Sequence, residues 1–285
     1  MSYINSNGVR LYVESTGRGL PIVFVHEFAG DHRSWEPQVR YFGRRYRCFS
    51  FSARGYIPSD VPENVDAYNQ EAWVEDIANI IRETVKVPAH IIGLSMGGYA
   101  TLNFGLAHPE MCRSLVIASA GHGSDLDRRK EFLSSTDKMA ERMLNEGMDD
   151  ATREYRNGEA RRLFQLKDPH GFAEANAQFV EHSALGSALT SRGYQMRRAT
   201  IYDLQERMET LQIPTLIMAG DHDDPCLDPA LFMKRTIPDS RLWIMPYTTH
   251  ALNLEEPDMF NRGVLDFLTE IDGRAYHTLE NEPPK

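Results

Sequence analysis

A serine stands between glycines in Gly93-Leu94-Ser95-Met96-Gly97-Gly98, after an apolar run and before a helix-forming stretch. That context predicts a sharp strand-to-helix turn with the Ser95 hydroxyl exposed at its tip. Gly93 and Gly97 leave room for neighbouring chain to pass close by. The helix behind the turn presents amide N–H groups to a developing negative charge. A serine hydroxyl is a poor nucleophile until a base removes its proton. Of ten histidines, His250 is best placed to be that base. It follows the last apolar run, Leu242-Trp243-Ile244-Met245, after a short loop, at what would be the carboxyl edge of a sheet. A carboxylate must orient it. Asp221, Asp223 and Asp224 compete, all after the run that ends at Gly220. A loop residue three past the glycine reaches back best, so Asp223 is chosen, with Asp224 the alternative and Asp221 a loop brace.

The elements that must position these groups are legible in hydrophobic periodicity. Tyr3-Ile4-Asn5 and Val9–Val13 flank Asn7-Gly8, a hairpin signal. Pro21–Val25, Cys48–Phe51, Ile91–Leu94, Leu115–Ala118, Thr215–Ala219 and Leu242–Met245 are continuous apolar runs, which marks strands covered on both faces. Trp73, Ile77, Ile80, Ile81 and Thr84 share one face of a helix, and 97–107, 229–237 and 257–271 read as further helices. The alternation predicts an α/β fold with a mostly parallel, eight-stranded sheet and helices on both faces. Residues 124–210 contain no convincing strand. They are expected to form a helical lid inserted into a core made of 1–123 and 211–273. The segment 274–285 reads as a frayed tail.

Composition removes other classes of function. The chain has 285 residues, 41% hydrophobic and 25% charged, enough to bury a sizeable core. Its net charge of −10, most of it beyond residue 212, argues against nucleic acid as a partner. Cys48, Cys112 and Cys226 are far apart and show no metal-ligand or disulfide spacing, so no metal site is expected and a reducing cytoplasm fits. No signal-like start and no long apolar run occur, so no membrane is expected.

The chain order Ser95, Asp223, His250, with the elbow around Ser95, resembles the α/β-hydrolases, here the lid-bearing esterases, enol-lactonases and carbon–carbon bond hydrolases. The resemblance covers residues 3–271. It implies an oxyanion hole made by the amides of Met96 and, in the loop His26-Glu27-Phe28-Ala29-Gly30, of Phe28. Relatives carry glycine where this chain has Glu27, whose side chain is expected to point to solvent unless it brings a charge to the substrate. His26 is expected to be structural. Thr249 replaces another usual glycine, and Arg54 is expected to brace neighbouring loops. A serine at the elbow excludes the relatives that open epoxides or displace halide from an aspartate.

Together these features lead to a cofactor-free cytoplasmic serine hydrolase, a monomer or homodimer, acting on a small-molecule ester or lactone. The alternatives are a carbon–carbon bond hydrolase of diketone-like substrates and a ligand-binding protein on the same fold. Arg192 and Arg197 are candidates to pair with a substrate carboxylate.

Overall fold

In the computed structural model, which describes residues 2–280 and their side chains to Arg274, eight strands form one sheet in the order β1-β2-β4-β3-β5-β6-β7-β8. The strands are β1 Ser2–Ser6, β2 Val9–Gly17, β3 Pro21–Val25, β4 Arg47–Ser52, β5 Ala89–Leu94, β6 Cys112–Ala118, β7 Thr215–Gly220 and β8 Ser240–Met245. β1 and β2 join antiparallel through Asn7 and Gly8, both at positive φ, and β2 meets β4 antiparallel. From β4 to β8 every pairing is parallel. All residues of β3, β5 and β7 are buried, which is why their sequences are unbroken apolar runs.

Eleven α-helices are described: α1 Glu36–Phe42, α2 Gln70–Ile80, α3 Met96–Ala107, α4 Arg129–Arg156, α5 Arg162–Lys167, α6 Pro169–Val180, α7 Ala184–Thr190, α8 Gln205–Glu209, α9 Asp224–Thr236, α10 Leu252–Glu255 and α11 Pro257–Glu280. They divide the core by strand alternation. Val23 and Val25 of β3 pack into one apolar cluster with Trp73 and Ile77 of α2, Leu102 of α3 and Met233 of α9. Ile22 and Phe24 face the other, with Phe42 of α1 and Phe260, Val264 and Leu268 of α11. None of the described helices is long and apolar enough to cross a membrane.

Between β6 and β7 the described chain is helical, from α4 to α8. It meets the core backbone to backbone. A Cβ on Gly186 would lie 2.2 Å from the Gly55 carbonyl oxygen. α4 breaks at Gly147, whose φ of 81° and ψ of 176° are open to glycine and closed to most other residues. α11 continues to Glu280, past the point where the sequence predicts a frayed tail. Arg274 pairs with Glu270 one turn back and with Asp239 beside β8, which carries the helix on. Residues 281–285 of that predicted tail lie outside the described residues.

Arg54 sits in the loop after β4, and its side chain is 5% exposed. Its Nε and Nη2 donate to the two carboxylate oxygens of Asp76 on α2 at 2.7 and 2.6 Å, and its Nη1 donates to the Ala67 carbonyl. The Ser6 hydroxyl adds a third hydrogen bond to Asp76 at 2.5 Å. Arg54→Met strands a buried carboxylate, so it should lower unfolding stability by about 3–5 kcal/mol, read from urea denaturation with Arg54→Lys as the milder control.

Candidate active site

Three loops at the carboxyl edge of the sheet carry the site. Ser95 links β5 to α3 at φ 55° and ψ −114°, a region that costs a non-glycine residue about 1–3 kcal/mol. It is held there by its own N–H on the Ala118 carbonyl (2.8 Å) and its carbonyl under the Tyr99 N–H (3.0 Å). The flanking glycines are obligatory by contact. A Cβ on Gly93 would lie 2.2 Å from the Gly97 oxygen, and one on Gly97 would lie 2.1 Å from the Val25 oxygen.

Asp223 and His250 arrive on loops that also pack at backbone distance. A Cβ on Gly220 would lie 2.1 Å from the Thr248 oxygen. His222 donates its N–H to that oxygen at 3.0 Å, and the Asp221 carboxylate accepts the Thr248 N–H at 3.1 Å. Asp221 thus braces the loops, and Asp224 is exposed at the start of α9. His250 Nδ1 donates to Asp223 Oδ2 at 2.8 Å, and Nε2 accepts from Ser95 Oγ at 2.8 Å. Burial alone would raise the Asp223 carboxyl. The charge of His250 and its hydrogen bond outweigh it and hold the group below the usual carboxylate range. An ionised acceptor fixes the tautomer of His250 and leaves Nε2 facing the serine.

The Asp223, Cys226 and His250 donor atoms lie within 4.8 Å of one another. Burial and the Asp223 carboxylate push the Cys226 thiol well up, so it stays protonated. A protonated thiol beside a hydrogen-bonded Asp–His pair is a weak offer to a metal ion.

The loop after β3 is built around His26, which is fully buried. Its Nδ1 donates to the Glu27 carbonyl at 2.7 Å, and its Nε2 accepts the Ala53 N–H at 3.0 Å. That pair of roles requires a neutral ring, and burial pushes its pKa down to about 4. Phe28 packs edge-on against Tyr56, Tyr155 and Phe179. Among the described residues, the Phe28 and Met96 N–H groups have no acceptor.

Glu27 does not point to solvent. Its carboxyl turns inward, where Oε1 accepts from Ser34 Oγ at 3.2 Å and Oε2 is buried with no partner. The space comes from Gly30, whose Cβ would lie 2.7 Å from that carboxyl. Burial raises the Glu27 carboxyl, against the pull of Arg161. Glu27 and His250 line one cavity of about 440 Å³.

Arg192 and Arg197 are elsewhere. Arg192 is held by Asp137 (2.8 Å) and Glu141 (2.7 Å), and Arg197 by Asp66 (3.0 Å). Neither lines the cavity at His250. A charge count along the chain could not separate such surface pairs from a site.

Sequence reasoning missed how the helical segment grips the histidine loop. The Ala160 carbonyl accepts the His250 N–H at 3.2 Å. Lys167 at the end of α5 pairs with Glu255 (3.1 Å) and Glu256 (2.7 Å) and donates to the Tyr247 carbonyl. Glu255, whose side chain is fully buried, accepts from the Thr249 N–H (2.9 Å) and hydroxyl (2.5 Å). Thr249 is therefore an anchored residue. The adjacent Glu255-Glu256 was the available signal, and it reads equally well as an ordinary helix start.

A mostly parallel sheet with a serine elbow and a histidine loop at its carboxyl edge defines a hydrolase class. The alpha/beta hydrolase fold family matches residues 21–257, and the chain belongs to it. The chain is 26% identical over 273 residues to a putative 2-succinyl-6-hydroxy-2,4-cyclohexadiene-1-carboxylate synthase of Bacillus subtilis (93% of this chain, 97% of that protein). It is 26% identical over 270 residues to 3-oxoadipate enol-lactonase 1 of Acinetobacter baylyi (94% and 96%). Among solved structures it resembles a thermophilic esterase from Thermogutta terrifontis, with a TM-score of 0.84 at 23% identity over 95% of this chain and 99% of that one.

Two predictions follow from these contacts. Lys167→Met removes the cation from buried Glu255. The lysine is itself partly solvated, so the cost should be about 2 kcal/mol in urea, with Lys167→Arg losing less. His26 and His182 are both buried, and burial lowers each to about 4. Both lie below the unfolded value near 6.5, so their stabilising share is intact above that pH and is lost as pH falls toward 4. Their ring NMR shifts should stay at neutral positions from pH 8 to about pH 5.

Proposed function

We propose that the protein is a serine hydrolase that cleaves a carboxylic ester or lactone of a small molecule through an acyl-enzyme. The observation that carries this reading is the unbroken hydrogen-bonded chain from Asp223 through His250 to Ser95, with Ser95 held in a strained backbone conformation. The enol-lactonase relative supports the substrate type, since it shares nearly the full length of this chain.

In this reading, His250 Nε2 takes the proton from Ser95 Oγ as the oxygen attacks the carbonyl carbon. The Phe28 and Met96 N–H groups, which have no acceptor among the described residues, take the developing oxyanion, each contributing about 2.7–4 kcal/mol. The C–O bond to the leaving group breaks, and His250 gives its proton to the departing oxygen. Water then attacks the acyl carbon, with His250 removing its proton; the bond between Ser95 Oγ and the acyl carbon breaks, His250 returns the proton to Oγ, and the acid is released. Asp223 keeps Nδ1 protonated and stabilises the imidazolium in both halves. The segment α4–α8 serves as the lid over this chemistry.

Steady-state hydrolysis of short p-nitrophenyl esters and simple lactones tests the reading. Wild type should turn over many times, and Ser95→Ala should lose about 10⁶-fold in kcat. Asp223→Asn should lose about 10⁴-fold, whereas Asp224→Asn should stay near wild type. Unchanged turnover in Ser95→Ala would refute the mechanism, and folded wild type that binds esters without cycling would make it a binding protein.

A further inference from the structure

The cavity of about 440 Å³ beside the loop after β3 is lined by His250 but not by Ser95 or Phe28. That placement matters if the hydrolase reading above holds, and the inference rests on it. The acyl carbonyl would be held at Ser95 between the Phe28 and Met96 amides. The departing oxygen must face His250 Nε2 to receive its proton. The part of the substrate attached to that oxygen would then extend past His250 into this cavity.

Most charges lining the cavity are already matched. Asp31 is held by Arg33 at 2.7 Å, Arg33 also meets Glu181 at 2.8 Å, and Arg40 meets Glu36 at 2.6 Å. Two groups are not. Glu27 keeps one oxygen, Oε2, buried without a partner, a state that costs about as much as a lost hydrogen bond. Arg161 stacks over the Tyr155 ring at 4.6 Å, and among the described residues no carboxylate lies within ion-pair distance of it. The carbon skeleton of a ligand would lie against Phe164, Phe172 and Leu254, which line the same space.

We propose that this cavity is a leaving-group subsite that selects alcohols carrying a second hydroxyl, with Glu27 as the specificity-determining residue. The preferred substrates are then esters of diols or polyols rather than of plain alkanols. A hydroxyl is the group that suits both residues, since it donates to the Glu27 carboxyl on the cavity wall and accepts from the Arg161 guanidinium. An ammonium would meet the Arg161 charge, and a carboxylate would meet Glu27 with Asp31 behind it. A neutral donor–acceptor group avoids both conflicts.

The test compares kcat/KM for 3-hydroxypropyl butyrate and propyl butyrate, which differ by one hydroxyl. Each protein is scored by the ratio, so a general loss of activity cancels. Wild type should favour the hydroxylated ester by about tenfold. Glu27→Met, of similar length but without an acceptor, should bring the ratio to about one. Glu27→Gln, which keeps a carbonyl oxygen, should retain most of the preference. Arg161→Met, at the opposite side of the proposed contact, should lower it independently of how Glu27→Met folds. A wild-type ratio near one, or a ratio unchanged in Glu27→Met or Arg161→Met, overturns the subsite. Ser95→Ala, run with p-nitrophenyl butyrate, separates the two levels. If its turnover equals that of wild type, the hydrolase reading fails; if turnover is Ser95-dependent but the ratios do not respond, only the subsite fails.

Discussion

Everything at this site depends on how closely backbones approach one another at the carboxyl edge of the sheet. Ser95 occupies a conformation that its own residue type disfavours. It stays there because β5, α3 and the end of β3 meet at distances that admit no side chain at Gly93 or Gly97. The acid and histidine loops use the same device at Gly220 against Thr248. Rigid backbone contacts therefore fix the origins of all three side chains. Two hydrogen bonds of 2.8 Å then need little further ordering of the side chains.

Electrostatics complete what packing begins, and they do so by keeping groups in unequal states. His26 must be neutral to accept from Ala53 while donating to Glu27, and burial enforces this. Asp223 must be ionised, and the charge and hydrogen bonds around it overcome the burial that would neutralise it. Glu27, in the same region, has its own backbone N–H, Arg161 and the Ser34 hydroxyl to oppose its burial, and burial prevails, so its carboxyl moves the other way. Three titratable residues within a small region thus hold three different protonation preferences, each traceable to its partners.

The strands of the sheet, four of its helices and the positions of Ser95, Asp223 and His250 on loops after apolar runs each leave a local mark in the sequence. Buried parallel strands are apolar without interruption, as in Pro21–Val25. An elbow needs glycines at fixed offsets. The choice of Asp223 over Asp224 rested on loop reach, and the structure places Asp224 on the exposed start of α9. What could not be read depends on contacts between distant segments. The inward turn of Glu27 requires knowing that Gly30 and Ser34 lie beside it. The surface pairing of Arg192 requires knowing that α4 brings Asp137 and Glu141 alongside. The pairing of Arg274 with Asp239 near the end of α11 joins residues 35 apart in sequence.

The helical segment is tied to both the Ser95 elbow and the His250 loop, and this sets how the fold can vary. Tyr194 donates to the Met96 carbonyl at 3.1 Å, and Arg198 stacks over Tyr99 on the same helix at 3.8 Å. Ala160 and Lys167 hold the histidine loop from the other side. A segment that only covered the sheet could be reshaped freely. This one cannot move at α5 without releasing the Glu255 carboxylate that anchors Thr249, the residue before His250. Changes in the covering helices therefore alter the shape of the cavity and the placement of His250 together.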